Sequence, residues 1–181
     1  MIKTEKYIAF LRGINVGGHH KVPMAELRKE LEDLKLKNII TLLNTGNIIF
    51  EMPSQDTTKL ESKIAKHLGK VFGFPIPTII RKAEIIEKLY QSEPFKNICM
   101  SKDIRLYVSL LQDETKVDLP LPWISEDGSY QILAKCDKCI VSVLDLAISK
   151  SVKAMAIFEK TYGKNVTTRN WKTIERIIAK L

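Results

Sequence analysis

Hydrophobic residues follow two rhythms along this chain. Tyr7-Ile8-Ala9-Phe10-Leu11 is apolar at every position, the mark of a short strand covered on both faces. From Pro23 to Leu36 the spacing lengthens. Met24, Leu27, Leu31 and Leu34 recur at helical intervals with charge between them, which predicts an amphipathic helix. Ile39 to Leu43 and Ile48 to Phe50 flank Asn44-Thr45-Gly46-Asn47, a hairpin signal. A second helical stretch puts Leu60, Ile64, Leu68 and Val71 on one face. It opens with the Thr58/Glu61 spacing of a capping box and stops at Gly73 and Pro75. Ile76 to Ile80 returns to a strand.

This order, β-α-β-β-α-β over residues 1–82, is the ferredoxin-like plan. In that plan the loop 13–22, the turn 44–47 and the connection around Gly73 to Pro75 leave the sheet at one end. Strands without alternation also require a cover for the sheet face away from the helices. Either the C-terminal half or a second copy in a homodimer would supply it.

The remaining residues, 83–181, read as a second α+β unit. Ala83 to Tyr90 has a helical pattern, and Ile104 to Leu111 is strand-like. Residues 112–128, with Pro120 and Pro122, form an irregular excursion. Tyr130 to Cys136 and Cys139 to Leu146 make a hairpin with Asp137-Lys138 at its tip. Helices are expected at about 150–162, ended by Gly163, and at 170–181, where Asn170 is a natural N-cap. In the last helix Trp171, Ile174, Ile178 and Leu181 share an apolar face. The fold class expected is therefore α+β, two ferredoxin-like α-β plait subdomains packed together, 1–82 and 83–181, with no long linker between them.

Composition narrows the chemistry. The 45% apolar content of these 181 residues suffices for a real core. No apolar run approaches the roughly 18 residues of a membrane span, and Met1-Ile2-Lys3-Thr4-Glu5-Lys6 lacks a signal-peptide core, so a cytoplasmic protein is expected. Net charge is +8 and the pI about 9.3. The excess is uneven: residues 1–83 carry 14 Lys and Arg against 8 Asp and Glu, residues 84–181 carry 15 against 13. The lysines are dispersed, as on a solvated basic surface, but a phosphate-bearing partner also fits. The three cysteines, Cys99, Cys136 and Cys139, form no disulfide framework by count. Cys136-Asp137-Lys138-Cys139 sits at a hairpin tip, not at the helix start a redox pair uses. No second ligand pair accompanies it, so no metal is expected.

Chemistry concentrates in Arg12-Gly13-Ile14-Asn15-Val16-Gly17-Gly18, which leads into the helix at Pro23. The glycines admit positive φ and close backbone approach, and a helix start without a side-chain cap favours anions. With the turn 44–47 at the same sheet end, Arg12, Asn15, Gly17, Gly18, Thr45 and Asn47 make one candidate ligand site. The structural alternatives are an ion pair for Arg12 and left-handed turn geometry for Asn15 and Asn47. The stretch is neither a nucleotide P-loop nor a dinucleotide fingerprint, and no cofactor is indicated. His19 and His20 adjoin the loop, and His67 is expected on an exposed helix face. No nucleophile is placed beside any of them. Near the last helix, Arg169 could hold a phosphate or carboxylate, or pair with a carboxylate of the fold.

Four blocks together resemble one family. Leu11-Arg12-Gly13-Ile14-Asn15-Val16-Gly17-Gly18, Val22-Pro23-Met24-Ala25-Glu26-Leu27-Arg28, Asn44-Thr45-Gly46-Asn47-Ile48-Ile49-Phe50 and Thr168-Arg169-Asn170-Trp171-Lys172-Thr173 are similar to those of the bacterial domain of unknown function 1697 family. They run from one end of the chain to the other. Thr45 stands where many relatives have serine, which keeps the hydroxyl. The resemblance implies a pair of ferredoxin-like plaits and brings no activity with it. The leading functional reading is a small anionic or phosphate-bearing ligand at the glycine loop. Nucleic-acid binding ranks below it, since the third strand offers only Phe50 for base stacking. An enzyme, or a protein-interaction module without catalysis, completes the alternatives.

Overall fold

The structure is a computed structural model that describes residues 3–113, 119–148, 158, 160, 162–163 and 165–181. Strand β1 (Thr4–Leu11) pairs antiparallel with β3 (Asn47–Pro53) on one side and β4 (Thr78–Lys82) on the other. Outside β3 lies β2 (Lys37–Leu42), giving the order β2-β3-β1-β4. Helices α1 (Met24–Asp33) and α2 (Thr57–Phe72) contribute Leu27, Leu31, Leu60, Ile64 and Leu68 to a core shared with Tyr7, Ala9, Leu11, Ile48 and Phe50. Ile8, Phe10 and Ile49, which alternate with these along the strands, are buried too. The unbroken apolar run thus has the reason expected for it, at roughly 1.5–3 kcal/mol per buried side chain.

Several local expectations need correction. Helix α1 ends at Asp33, not Leu36. Lys35 takes φ +69, while Lys35 N–H donates to Glu32 O and Leu36 N–H to Leu31 O. This is a Schellman turn without its usual glycine, which leaves no mark in the sequence. Helix α2 is capped by Asp56, whose carboxylate accepts from Lys59 N–H at 2.8 Å, and no Thr58/Glu61 capping box forms. Glu61 is buried instead, where it accepts from Ile80 N–H at 2.8 Å and lies 3.5 Å from Arg81 Nη1. Val71 is exposed. His67 does not stand free on a surface: its Nε2 is 2.8 Å from the Glu30 carboxylate, bridging α2 to α1.

The chain divides into two units, Met1–Ile86 with Arg176–Leu181, and Glu87–Glu175. The closing residues join the first unit, where Lys6 Nζ donates to Leu181 O. After α3 (Ala83–Gln91), the second sheet comprises β5 (Ile104–Leu111), β6 (Trp123–Ile124), β7 (Tyr130–Cys136), β8 (Cys139–Asp145) and β9 (Val166–Asn170), in the order β6-β7-β8-β5-β9. Helix α4 (Trp171–Ile178) follows β9 directly. The excursion 112–128 therefore contributes an edge strand. The tip of the β7–β8 hairpin is Asp137-Lys138, both at positive φ (44° and 61°), as a primed turn requires. The helix expected at about 150–162 lies largely outside the described residues. Phe158 and Tyr162 of that stretch are buried with Tyr130, Ile140 and Leu144.

The protein is thus α+β, with antiparallel sheets of four and five strands and four helices among the described residues. Four strands of the second sheet, β7-β8-β5-β9, repeat the order and register of β2-β3-β1-β4. Tyr107 pairs with Asn170 and Leu111 with Val166, as Tyr7 pairs with Lys82 and Leu11 with Thr78. Ile104 meets Asp145 and Leu110 meets Cys139, as Thr4 meets Pro53 and Phe10 meets Asn47. Backbone bonds at the strand ends coincide as well. Leu11 N–H donates to Gly46 O and Arg12 N–H to Pro77 O; Leu111 N–H donates to Lys138 O and Gln112 N–H to Asn165 O, all at 2.7–3.0 Å. Register also equates Arg81 with Arg169. Both are buried, and each donates through Nη1 to the carbonyl of the residue before it. What α1 does in the first unit has no helical counterpart among the described residues between β5 and β7.

Candidate functional site

Three connections meet at the end of the first sheet. Arg12, half-buried, leaves β1 with its N–H bonded to Pro77 O at 2.9 Å. The chain then turns back on itself: Asn15 N–H donates to His20 O (3.0 Å) and His19 N–H to Val16 O (3.1 Å). Gly17 and Gly18, at φ +60 and +78, form the tip of this small hairpin. A primed two-residue turn demands positive φ at both positions, so turn geometry accounts for this glycine pair. Space for a Cβ is open at both.

Asn15 fastens the loop. Its Nδ2 donates to Val22 O (3.0 Å) and to Asn44 O (2.8 Å), and its Oδ1 accepts from Val22 N–H (2.8 Å). One side chain therefore ties the loop to its own far end and to the β2–β3 turn. Within that turn Asn47 is fully buried, and its Nδ2 donates to Leu42 O (3.2 Å) and Thr45 Oγ1 (3.0 Å). Thr45 itself is exposed. His20 also has partners: Nδ1 lies 3.1 Å from Gly13 O, and the ring stacks on Phe74 with centroids 4.3 Å apart. His19, Lys21 and Val16 are exposed around the rim. Helix α1 begins beside them at an N-cap, Pro23, that offers no side-chain bond, with Glu26 in its first turn.

The structure thus brings Arg12, Asn15, Gly17, Gly18, Thr45 and Asn47 to one end of the sheet. Asn15 and Asn47 spend their amides on the fold. Arg169 belongs to the second unit and to a strand, β9, one residue before the cap. It is buried, with Nη1 donating to Thr167 Oγ1 (2.7 Å) and Thr168 O (3.0 Å). Burial pulls its guanidinium down to about 10. Asn170 caps α4 as expected, accepting from Lys172 N–H at 3.0 Å.

Two cavities in the second unit escaped the sequence reading, and Trp171 lines both. One, of about 440 Å³, has walls of Tyr90, Phe95 and Pro94. The other, of about 540 Å³, is lined by Lys102, Arg105, Asn170 and Lys172. Of its lining, Asn170, Trp171 and Lys172 belong to the last of the four blocks. At the β7–β8 tip, Cys136 and Cys139 are cross-strand neighbours. Burial, and then Asp137, push the Cys136 thiol up, away from the thiolate that redox or metal chemistry uses.

The family model described as a protein of unknown function (DUF1697) matches residues 4–121. The chain belongs to that family. The matched span holds three of the four blocks and ends before Thr168. No curated protein matches this DUF1697 chain. Among solved structures it is similar to the conserved bacterial protein SP0830 from Streptococcus pneumoniae, at 22% identity and a TM-score of 0.64, over 97% of each chain. At that identity the likeness is one of fold. No helix among the described residues is long and apolar enough to cross a membrane.

Proposed function

We propose that the loop end of the first sheet binds a small anionic or phosphate-bearing ligand. The observation that carries this is the Asn15 clamp, which holds an exposed loop in one conformation against the 44–47 turn. A binding surface already ordered loses less entropy on capture. Arg12 and Lys21 supply positive charge beside it, and the uncapped start of α1 adds backbone N–H groups. Glycine at 17 and 18 keeps side chains from shielding the loop backbone. Asn15 and Asn47 serve as the scaffold, and Arg169 belongs to the second unit's own packing. The repeated strand order supports reading each unit as a ferredoxin-like plait.

Nucleic-acid binding through the sheet is the weaker reading because Phe50 is buried and stacked on Tyr7, centroids 5.5 Å apart. A base has no aromatic surface to reach on that strand. The test is a thermal-shift series with inorganic phosphate, sugar phosphates, carboxylates and short RNA, on the unaltered chain and on Arg12→Gln. Occupancy at 100 times the dissociation constant stabilises by about 2.7 kcal/mol. A small-anion shift lost in Arg12→Gln is the expected result. Shifts that are absent, or indifferent to Arg12, overturn the proposal.

A further inference from the structure

The cavity beside Trp171 in the second unit carries chemistry that its counterpart in the first unit lacks. Register pairs Arg105 with Glu5 and Asn170 with Lys82. Because a helix follows β4 and β9 without a break, Trp171 also corresponds to Ala83 and Lys172 to Glu84. In the first unit this sheet end is closed by an ion pair, Lys82 Nζ to Glu5 at 2.8 Å. In the second, both acids are replaced by cations, the lysine by an asparagine and the alanine by tryptophan. The result is an open cavity of about 540 Å³, within the usual range for small-ligand sites.

Its lining sets the ligand class. Lys102, Arg105 and Lys172 face a single carboxylate, Glu175. Lys102 and Lys172 have no carboxylate partner among the described residues. Arg105 is held in place by its own backbone surroundings, with Nη1 donating to Lys102 O (2.6 Å) and Ile104 O (3.0 Å). Beside Ser101 and Asn170, the remaining wall is apolar: Met100, Ile104, Leu106 and Trp171. Trp171 is braced by Tyr90, stacked at 5.6 Å, and by Phe95, edge-on at 5.0 Å. A braced indole beside a held guanidinium and two lysines suits a planar ring joined to a phosphate. We infer that this cavity binds a nucleotide, either free or as one unit of a single strand. This site is independent of the glycine-loop proposal.

The test uses the full chain with Trp123→Phe, which leaves Trp171 as the reporting tryptophan. Fluorescence is titrated with adenosine monophosphate, adenosine, inorganic phosphate and a short single-stranded oligonucleotide. Saturable quenching by the monophosphate with Kd below about 1 mM is expected, with adenosine and phosphate each weaker by at least about tenfold. Arg105→Glu with Lys172→Glu, which restores the charges of the first unit, should weaken binding by at least about tenfold, whereas Arg12→Gln leaves it unchanged. Similar affinity for the monophosphate and the oligonucleotide identifies the free nucleotide; much tighter oligonucleotide binding identifies a strand. If charge reversal disturbs the circular dichroism spectrum, Lys102→Ala with Lys172→Ala takes its place, and calorimetry on the unaltered chain stands in for fluorescence if Trp123→Phe does so. No saturable response to either nucleotide form overturns the inference. So does an affinity indifferent to the cations, or phosphate binding as tightly as the monophosphate.

Discussion

Asn15 is the residue on which the loop end of the first sheet depends, and its removal has a size that can be worked out. Truncation deletes two donated hydrogen bonds and one accepted bond. Each is worth about 0.5–1.5 kcal/mol net. Val22 is only 3% exposed, so its N–H and carbonyl are poorly placed to recover their bonds from water, which moves the total toward the upper end. Asn15 also stands at φ +54, and a β-carbon without a polar head adds roughly 1–2 kcal/mol there. Asn15→Gly isolates the bonds, since glycine accepts that φ, and should cost about 2–4 kcal/mol. Asn15→Ala should cost about 1 kcal/mol more, the strain being the difference. Urea unfolding followed by far-ultraviolet circular dichroism gives both values by linear extrapolation. Hydrogen exchange adds a local readout: protection of the Val22 amide should fall about thirtyfold for each 2 kcal/mol lost. Should Asn15→Gly stay within about 0.5 kcal/mol of the parent, with Val22 protection intact, the loop is held by something else. The reasoning behind the anion site then fails with it.

Two further outcomes follow from the packing. Gly46→Ala should destabilise by about 2–5 kcal/mol, because the new carbon would lie 2.6 Å from Leu11 Cβ at φ +75, adding overpacking to strain. Gly17→Ala, with nothing within 4 Å, should cost only about 1–2 kcal/mol, and equal losses in urea unfolding would refute the contact. Burial pushes the Tyr130 phenol up to about 12 from an ordinary value of about 10. The folded state therefore keeps its proton where the unfolded chain loses it. Stability of the second unit should be full below about pH 10 and fall by about 2–3 kcal/mol as pH rises to about 12. Tyr130→Phe should remove that share of the alkaline loss and be neutral or stabilising at pH 7, since no group among the described residues is within hydrogen-bond reach of the buried hydroxyl. Tryptophan fluorescence reports this unit, which holds both Trp123 and Trp171. An unchanged alkaline limb in Tyr130→Phe would count against it.

What could be read in the sequence was what repeats at short range. The apolar run of β1, the hairpin at 44–47 and the Asp137-Lys138 tip each declare themselves within a few residues, and the order of elements in the first unit follows from them. What could not be read was set by partners distant in the chain. Glu61 has the spacing of a capping residue, yet its carboxylate serves Ile80 and Arg81, about twenty positions on. His67 looks like a surface histidine until α1 brings Glu30 to it. Asn15 and Asn47 read as ligand contacts or turn formers alike, and only the fold shows Asn15 bonded to the backbone of Val22 and Asn44, and Asn47 to Leu42 O and the Thr45 hydroxyl. The cations around Trp171 come from two segments nearly seventy residues apart, Lys102 with Arg105 and Lys172, so no local pattern announces them.

The internal repeat separates residues the fold needs from residues it merely carries. Tyr7 with Tyr107, Leu11 with Leu111 and Arg81 with Arg169 are identical at matched positions of two sheets, and the two arginines share a bonding pattern as well. Identity kept in both units points to a common packing requirement, which is why Arg169 is better explained by its sheet than by a ligand. The reverse holds at Arg105 and Lys172. The same backbone positions are filled by Glu5 and Glu84 in the first unit, so the strand order places no demand for positive charge there. A charge that the architecture does not require, gathered beside a braced tryptophan that lines a cavity, has its explanation outside the fold. Removing the two exposed lysines, Lys102→Ala with Lys172→Ala, should therefore leave urea stability within about 0.5 kcal/mol, as for ordinary surface substitutions, whereas Arg105→Glu also forfeits two bonds to backbone carbonyls. A large loss would return the cations to the fold and remove the reason for assigning them a ligand.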